Sequence, residues 1–297
     1  LKEEDEVDKM SSAMTHDNVL FFTNKGKVYQ VKAWDLPETT RQAKGQAIVN
    51  LINVTQDEKL QTVLNLGKNG ETKHLLMVTV NGTVKKTKLS DFANIRATGI
   101  IAIKLEKGDS LKWVKPASGQ DHVLLVSHEG KSARFKEEDV RPTARDTMGV
   151  RGILLKPDDY VVGMEVFPSR KPAPTDKRRK SFSDVLIVTE NGLGKRTTVT
   201  NWPLQKRGGQ GVKAAEVTPK TGKIVACIGV DEAVEQVILT SKSAQVIKLP
   251  LKNIPRLGRA TQGVILMRLA KSDFVAAVTC IEKEAETTES TKEPEKN

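Results

Sequence analysis

The stretch Gln205-Lys206-Arg207-Gly208-Gly209-Gln210-Gly211 places two cations beside three glycines. That combination suits a phosphate. Glycine lets the backbone approach closely and turn bare N–H groups outward, while Lys and Arg supply charge. Alone, the heptad is a weak signal, because many flexible basic turns share its composition. Diluted copies strengthen it. Arg41-Gln42-Ala43-Lys44-Gly45, Arg145-Asp146-Thr147-Met148-Gly149 and Arg259-Ala260-Thr261-Gln262-Gly263 keep the Arg207-to-Gly211 spacing, and Arg96-Ala97-Thr98-Gly99 is one residue shorter.

The elements that carry these loops also repeat. Each unit opens on an apolar run ending in Thr or Ser, then a tight turn, then a second strand that is basic in most units. Val19-Leu20-Phe21-Phe22-Thr23 begins the first, and Leu76-Met77-Val78-Thr79 the second. Leu124-Leu125-Val126-Ser127, Leu186-Ile187-Val188-Thr189 and Val237-Ile238-Leu239-Thr240 begin the others. The markers at 23, 79, 127, 189 and 240 are 56, 48, 62 and 51 residues apart. From each marker to the Gly closing its Arg…Gly loop is 22, 20, 22, 22 and 23 residues. Two features that stay in step across five units indicate a repeat, and Asn-Gly at 81–82 and 191–192 predicts hairpins with φ > 0 at both turn positions. A further strand is expected after each loop, over Ala47–Ile52, Ile100–Leu105, Val150–Leu155, Val212–Val217 and Val264–Leu269. An acidic turn follows in most units (Asp57, Asp109, Asp158-Asp159, Asp273), then another strand. About four strands per unit of ~50 residues, with almost no helical periodicity, predicts an all-β array of propeller-like blades.

The chain divides accordingly. Residues 1–281 form one repeat domain, with repeats at about 15–65, 66–115, 116–166, 184–228 and 229–281. Residues 1–14 are expected to be the remnant of a further blade, so that five complete repeats and a partial one make six. Residues 167–183, rich in proline and cations, are expected to be an inserted basic loop, and 282–297 a disordered acidic tail. The chain starts at Leu1 without an initiator Met and is read as a fragment or a processed product. Lys+Arg number 48 against 37 Asp+Glu, a net charge of +11 that favours a polyanionic partner, nucleic acid or an anionic membrane. No run reaches the ~20 apolar residues of a membrane helix. Cys227 and Cys280, the two cysteines, suit a reducing compartment and exclude a disulfide scaffold.

With these residues in place, the chain resembles the C-terminal domain of the DNA gyrase A protein. Gln205 to Gly211 is similar to that family's gyrase-A box, whose pattern is Gln, basic, Arg, Gly, Gly, basic, Gly; the sixth position here is Gln210. The stretch Thr15-His16-Asp17 through Asp57-Glu58, including Ala33-Trp34-Asp35-Leu36-Pro37-Glu38-Thr39-Thr40-Arg41, also resembles the domain. The likeness covers residues 1 to about 281. It implies a six-bladed β-pinwheel of four-stranded blades that binds duplex DNA and wraps it around its rim. The wrapped DNA would serve ATP-dependent negative supercoiling by a type IIA topoisomerase. The implied partners are double-stranded DNA, the N-terminal cleavage core of gyrase A, and gyrase B in an A2B2 assembly. The implied setting is the bacterial cytoplasm near the nucleoid, without a membrane. The implied cofactors of the reaction, ATP and Mg2+, act elsewhere in the intact enzyme, and none is expected in this chain.

Wrapping needs no base to be read. Cations on the rim neutralise phosphates and release counterions. The candidates are the box residues Gln205, Lys206, Arg207, Gly208, Gly209, Gln210 and Gly211. The expected rim adds Arg41, Lys44, Lys85, Lys86, Arg96, Arg134, Arg145, Lys195, Arg196, Arg256 and Arg259. Any one of them is equally well read as a solvated surface cation; the set in register predicts a stripe.

Other chemistries fit less well. Aromatics at 4% are too few for a single-strand stacking platform. Gly130-Lys131-Ser132 mimics the end of a phosphate-binding loop, but Leu125 stands where glycine is needed. The four His and two Cys show no metal spacing. Tyr29 follows Val28 and Tyr160 follows Asp159, so neither matches the family's Arg-Tyr nucleophile, and the chain is not expected to be an enzyme by itself. Trp34, Trp113 and Trp202 are read as blade packing. Two alternatives stay open: the C-terminal domain of the topoisomerase IV protein homologous to gyrase A, and a propeller-type protein-interaction scaffold.

Overall fold

The computed structural model describes residues 13–38, 45–66, 72–169 and 183–283. The expected remnant at 1–14 lies almost wholly outside these residues, as do nearly all of the inserted loop and tail. The strands are β1 (Asn18–Thr23), β2 (Lys27–Lys32), β3 (Leu60–Leu66), β4 (His74–Thr79) and β5 (Thr83–Lys88). Then come β6 (Ile100–Ile101), β7 (Leu111–Ala117), β8 (Asp121–Ser127), β9 (Lys131–Lys136), β10 (Val150–Arg151), β11 (Val161–Pro168) and β12 (Asp184–Thr189). The last are β13 (Leu193–Thr198), β14 (Val212–Lys213), β15 (Ile224–Val230), β16 (Val234–Ser241), β17 (Val246–Pro250), β18 (Val264–Ile265) and β19 (Val275–Glu282). The only helical turns among the described residues are short 3-10 segments.

These strands make five antiparallel sheets in the orders β3-β1-β2-β6, β10-β5-β4-β7, β11-β8-β9-β14, β15-β12-β13-β18 and β17-β16-β19. Five blades are therefore described, not six. The strand after each Arg…Gly loop also corrects an expectation. It forms ladder pairs over two residues only, and it joins the preceding unit's sheet: Ile100–Ile101 pair with β2, Val150–Arg151 with β5, Val212–Lys213 with β9 and Val264–Ile265 with β13. In the first unit the equivalent Ala47–Ile52 is not a strand; Ile48–Asn50 form a 3-10 turn. The second to fifth units thus each lend their shortest strand backward, which ties neighbours together with backbone hydrogen bonds.

The apolar runs are continuous because most sheets are covered on both faces. In β4, Leu75 and Met77 join a cluster with Leu20, Phe22 and Val28 of the first sheet, while Leu76 and Val78 join one with Val123 and Leu125 of the third. Leu124 and Val126 pack with Val185 and Ile187 of the fourth sheet. Leu186 and Val188 then pack with Val237 and Leu239 of the fifth. Successive side chains point to opposite faces, so every residue of such a run is buried. In β16, by contrast, Val237 and Leu239 are buried while Ile238 and Thr240 are half-buried. Of the tryptophans, Trp202 is buried and Trp113 packs on the second–third sheet cluster, but Trp34 is 49% exposed, with Lys32 Nζ 5.4 Å from its ring.

The hairpin turns are tighter in pattern than the sequence suggested. Only the glycine of each Asn-Gly pair has positive φ, Gly82 at 83° and Gly192 at 76°. The glycine N–H donates to the carbonyl of the marker, Thr79 or Thr189, the signature of a type I turn closed by a left-handed residue. In the fifth unit Ala244 (φ 61°) donates to Ser241 O, and Gln245 N donates to Ser241 Oγ as Lys131 N does to Ser127 Oγ. Ser241, not Thr240, is therefore the structural marker. Its distance to Gly263 is 22 residues, the spacing of the first, third and fourth units.

Candidate nucleic-acid interface

The Arg…Gly loops and the short strands that follow them lie side by side. Lys104 N donates to Thr147 O at 3.0 Å, Leu154 N to Gly209 O at 2.9 Å and Glu216 N to Thr261 O at 3.2 Å. The same junction, between the segment after one loop and the middle of the next loop, recurs three times. It lines the loops of the second to fifth units into one ridge.

The box has the backbone its sequence calls for. Gly208 (φ 79°) donates to Gly152 O at 2.7 Å, and Gln205 N donates to Arg134 O at 2.7 Å. Gly211 has φ 68°, and a Cβ there would sit 2.2 Å from Ser132 O, so only glycine fits without moving backbone. Around Gly209 the space is open, and Gln210 and Lys206 are exposed. Arg207 is half-buried: its Nε donates to Asp139 O at 2.8 Å and its Nη1 to Arg151 O at 3.1 Å. Arg259 makes the equivalent bond to Lys213 O. These arginines bind the ridge together while holding positive charge at its surface.

The expected rim cations divide into groups. Arg96 is exposed, Arg145 is partly exposed, and Arg256 is exposed and ion-paired to Asp184 at 2.7 Å. Arg41 and Lys44 lie outside the described residues. Lys85, Lys86 and Lys195 correct the expectation of a solvent-facing stripe, since they are 1%, 4% and 1% exposed. Lys85 Nζ donates to Ala102 O at 2.8 Å and to Arg145 O. Lys86 Nζ donates to Glu137 O at 3.0 Å and is 3.6 Å from its carboxylate. Lys195 Nζ donates to Gly258 O at 3.0 Å, Thr261 O at 2.8 Å and Arg259 O. Burial pushes Lys85 and Lys195 down to about 8; the Arg259 charge adds to this at Lys195, whereas Asp146 opposes it at Lys85.

Arg134 and Arg196 are half-buried staples between sheets. Arg134 Nη1 donates to Val199 O (3.1 Å) and Trp202 O (2.8 Å), and its guanidinium lies 4.9 Å from the Phe167 ring centroid. Arg196 Nε donates to Ile254 O at 2.7 Å, and its Nη1 is 3.6 Å from Asp184. Burial lowers both guanidinium pKa values. The physical reason is shared: a strand packed on both faces has no free side, so a cation in it must find carbonyls or a carboxylate inside.

Three exposed cations on the ridge were not among the sequence candidates: Lys104, Arg151 and Lys213. The signal was present, since Arg151 and Lys213 each follow the loop glycine by two residues. A two-residue strand carries no pattern that names the sheet it joins, and Arg151 and Lys213 pair into the preceding unit's sheet. Lys213 is paired to Glu216.

The fold and the ridge define a repeat β-protein whose basic loops, each closed by a glycine, are aligned along one edge. A family profile described as the DNA gyrase C-terminal domain, beta-propeller, matches residues 17–66, 73–118, 121–168, 183–231 and 235–282. The chain belongs to this family. The DNA gyrase A protein of Staphylococcus aureus (strain NCTC 8325 / PS 47) is 39% identical over 285 residues, covering 96% of this chain and 31% of that protein. The chain thus spans under a third of that relative's length. Among solved structures, the C-terminal domain of DNA topoisomerase IV superposes with a TM-score of 0.78 at 24% identity, over 90% of this chain and 80% of that one. A DNA gyrase A C-terminal domain superposes with a TM-score of 0.70 at 28% identity, over 90% and 83%.

Proposed function

We propose that the chain binds and wraps duplex DNA along the loop ridge, as the C-terminal domain of a DNA gyrase A protein. The observation that supports this is the junction, seen three times, between the segment after one loop and the middle of the next loop, together with the Arg207 and Arg259 guanidiniums that bridge to the carbonyls of Arg151 and Lys213. Bending 20–30 bp by 40–90° costs on the order of 1–6 kcal/mol, and a longer wrap costs a multiple of that. One heptad offsets little of it; an edge of phosphate contacts from several blades offsets it blade by blade.

In this reading the five blades described belong to a six-bladed pinwheel. The working assembly is the gyrase A cleavage core with gyrase B as A2B2 in the bacterial cytoplasm, where ATP and Mg2+ act outside this chain. The chain itself is a DNA-handling part and not the catalyst. The box and the gyrase A relatives favour gyrase over topoisomerase IV, and supercoiling by the intact enzyme separates the two.

The test is DNA binding by this chain at graded salt, together with a relaxed-circle linking-number assay. Log K should fall with log[salt] by about 0.9 for each neutralised phosphate. Lys206→Ala should reduce that slope by about one, and Lys206→Ala/Arg207→Ala should reduce the linking-number change more than the affinity. A flat salt dependence would favour the protein-scaffold reading.

A further inference from the structure

We propose that Lys85 and Lys195 are positioning residues of the ridge, each reaching from the second strand of its sheet to hold the next unit's Arg…Gly loop from beneath by its carbonyls. The proposal rests on the DNA reading for its consequence but not for its geometry.

Both lysines stand six residues after their unit's marker, Thr79 and Thr189, and both are 1% exposed. Lys195 Nζ collects the carbonyls of Gly258, Arg259 and Thr261, three acceptors for its three protons. Lys85 Nζ collects those of Ala102 and of Arg145, the arginine that opens the next loop. A carbonyl turned inward turns the following N–H and side chain elsewhere. The ammonium therefore fixes how Arg145 and Arg259 are presented.

The other units vary this position in a telling way. Beneath the full box the residue is Ala133, and that loop is held instead by Gly208 N to Gly152 O and by the Arg207 guanidinium on two carbonyls. Beneath the shortened loop the residue is Tyr29, whose ring would lie 2.6 Å from a Cβ at Gly99. The two lysines underlie Arg145 to Gly149 and Arg259 to Gly263, two of the three loops that have the box spacing without its paired glycines; the third, Arg41 to Gly45, has no preceding unit among the described residues. In these two loops the lysine beneath supplies a constraint on the backbone through the carbonyls of Arg145 and Arg259.

The experiment uses the 297-residue chain with Lys195→Met and Lys85→Met, made separately. The first readout needs no DNA. Limited trypsin digestion should cut after Arg259 at least fivefold faster in K195M, and after Arg145 in K85M, with the other loop unchanged in each. The second readout is DNA. Linking-number change should fall severalfold while affinity for a short duplex changes less than twofold, and K195M should add nothing in an Arg259→Ala background. If a methionine variant does not fold, Lys195→Gln, which keeps part of the donor set, should show the same cleavage pattern in milder form. Unchanged cleavage at both loops, or uniformly faster cleavage across the chain, overturns the positioning role. Altered cleavage in a chain that leaves DNA topology untouched confirms the positioning and instead overturns the DNA reading.

Discussion

A lysine ammonium held among three carbonyls and one in water carry the same formal charge, but only the second releases counterions when a phosphate arrives. Lys195 and Lys206 are eleven residues apart and fall on opposite sides of this distinction, one 1% exposed and the other at the surface. Glycine shows a similar split within the box. Gly211→Ala demands a side chain at φ 68° with its Cβ 2.2 Å from Ser132 O, whereas a Cβ at Gly209 meets nothing within 4 Å. Urea unfolding should show G211A destabilised by about 1–3 kcal/mol and G209A within about 0.5 kcal/mol of the parent. Equal effects would mean that the box backbone is not held as described.

Each hairpin is clasped by the turn that follows it. Asp109 Oδ1 accepts Asn81 N (3.1 Å) and Ser110 N (2.8 Å). Asp159 Oδ1 accepts Glu129 N and Tyr160 N, both at 2.9 Å, and Asp273 Oδ1 accepts Ser243 N (3.1 Å) and Phe274 N (2.9 Å). At Asp109, Asp159 and Asp273 the acidic turns legible in the sequence are thus caps on the preceding turn, whereas Asp57 pairs with Lys25 Nζ at 3.0 Å. Asp159 is buried, so Asp159→Ala leaves two donors short of a partner and should cost about 1–3 kcal/mol of stability. Its salt slope for DNA should stay unchanged; a shifted slope would place Asp159 at the interface. The two-residue strands β6, β10, β14 and β18 were only half legible. Their position after the loop glycine was plain, but two residues carry no pattern that names a partner, and the sheet they join is set by which strand edge lies nearest.

Across the whole molecule the sheets stack in sequence order, each sharing an apolar layer with the next. The fifth sheet has three strands, and β17 is its edge, with Val246 55% exposed. The equivalent β5, β9 and β13 each carry a fourth strand. Amides of β17 should therefore exchange with solvent faster than those of β5, β9 and β13 in hydrogen-exchange measurements, since edge donors lack a ladder partner. Uniform protection would show that another segment covers that edge.

The sequence alone determined the repeat, the strand runs, the positions of the hairpin turns and the basic loops closed by glycine. These are local matters of side-chain period, glycine's backbone freedom and charge density. Tertiary structure alone decided which cations face water. Lys85 and Lys86 are neighbours on one strand and point to opposite faces, yet both are buried, because a blade lies on each side. Sequence period tells which face a residue takes, but whether that face meets solvent or another sheet depends on packing between units far apart in the chain.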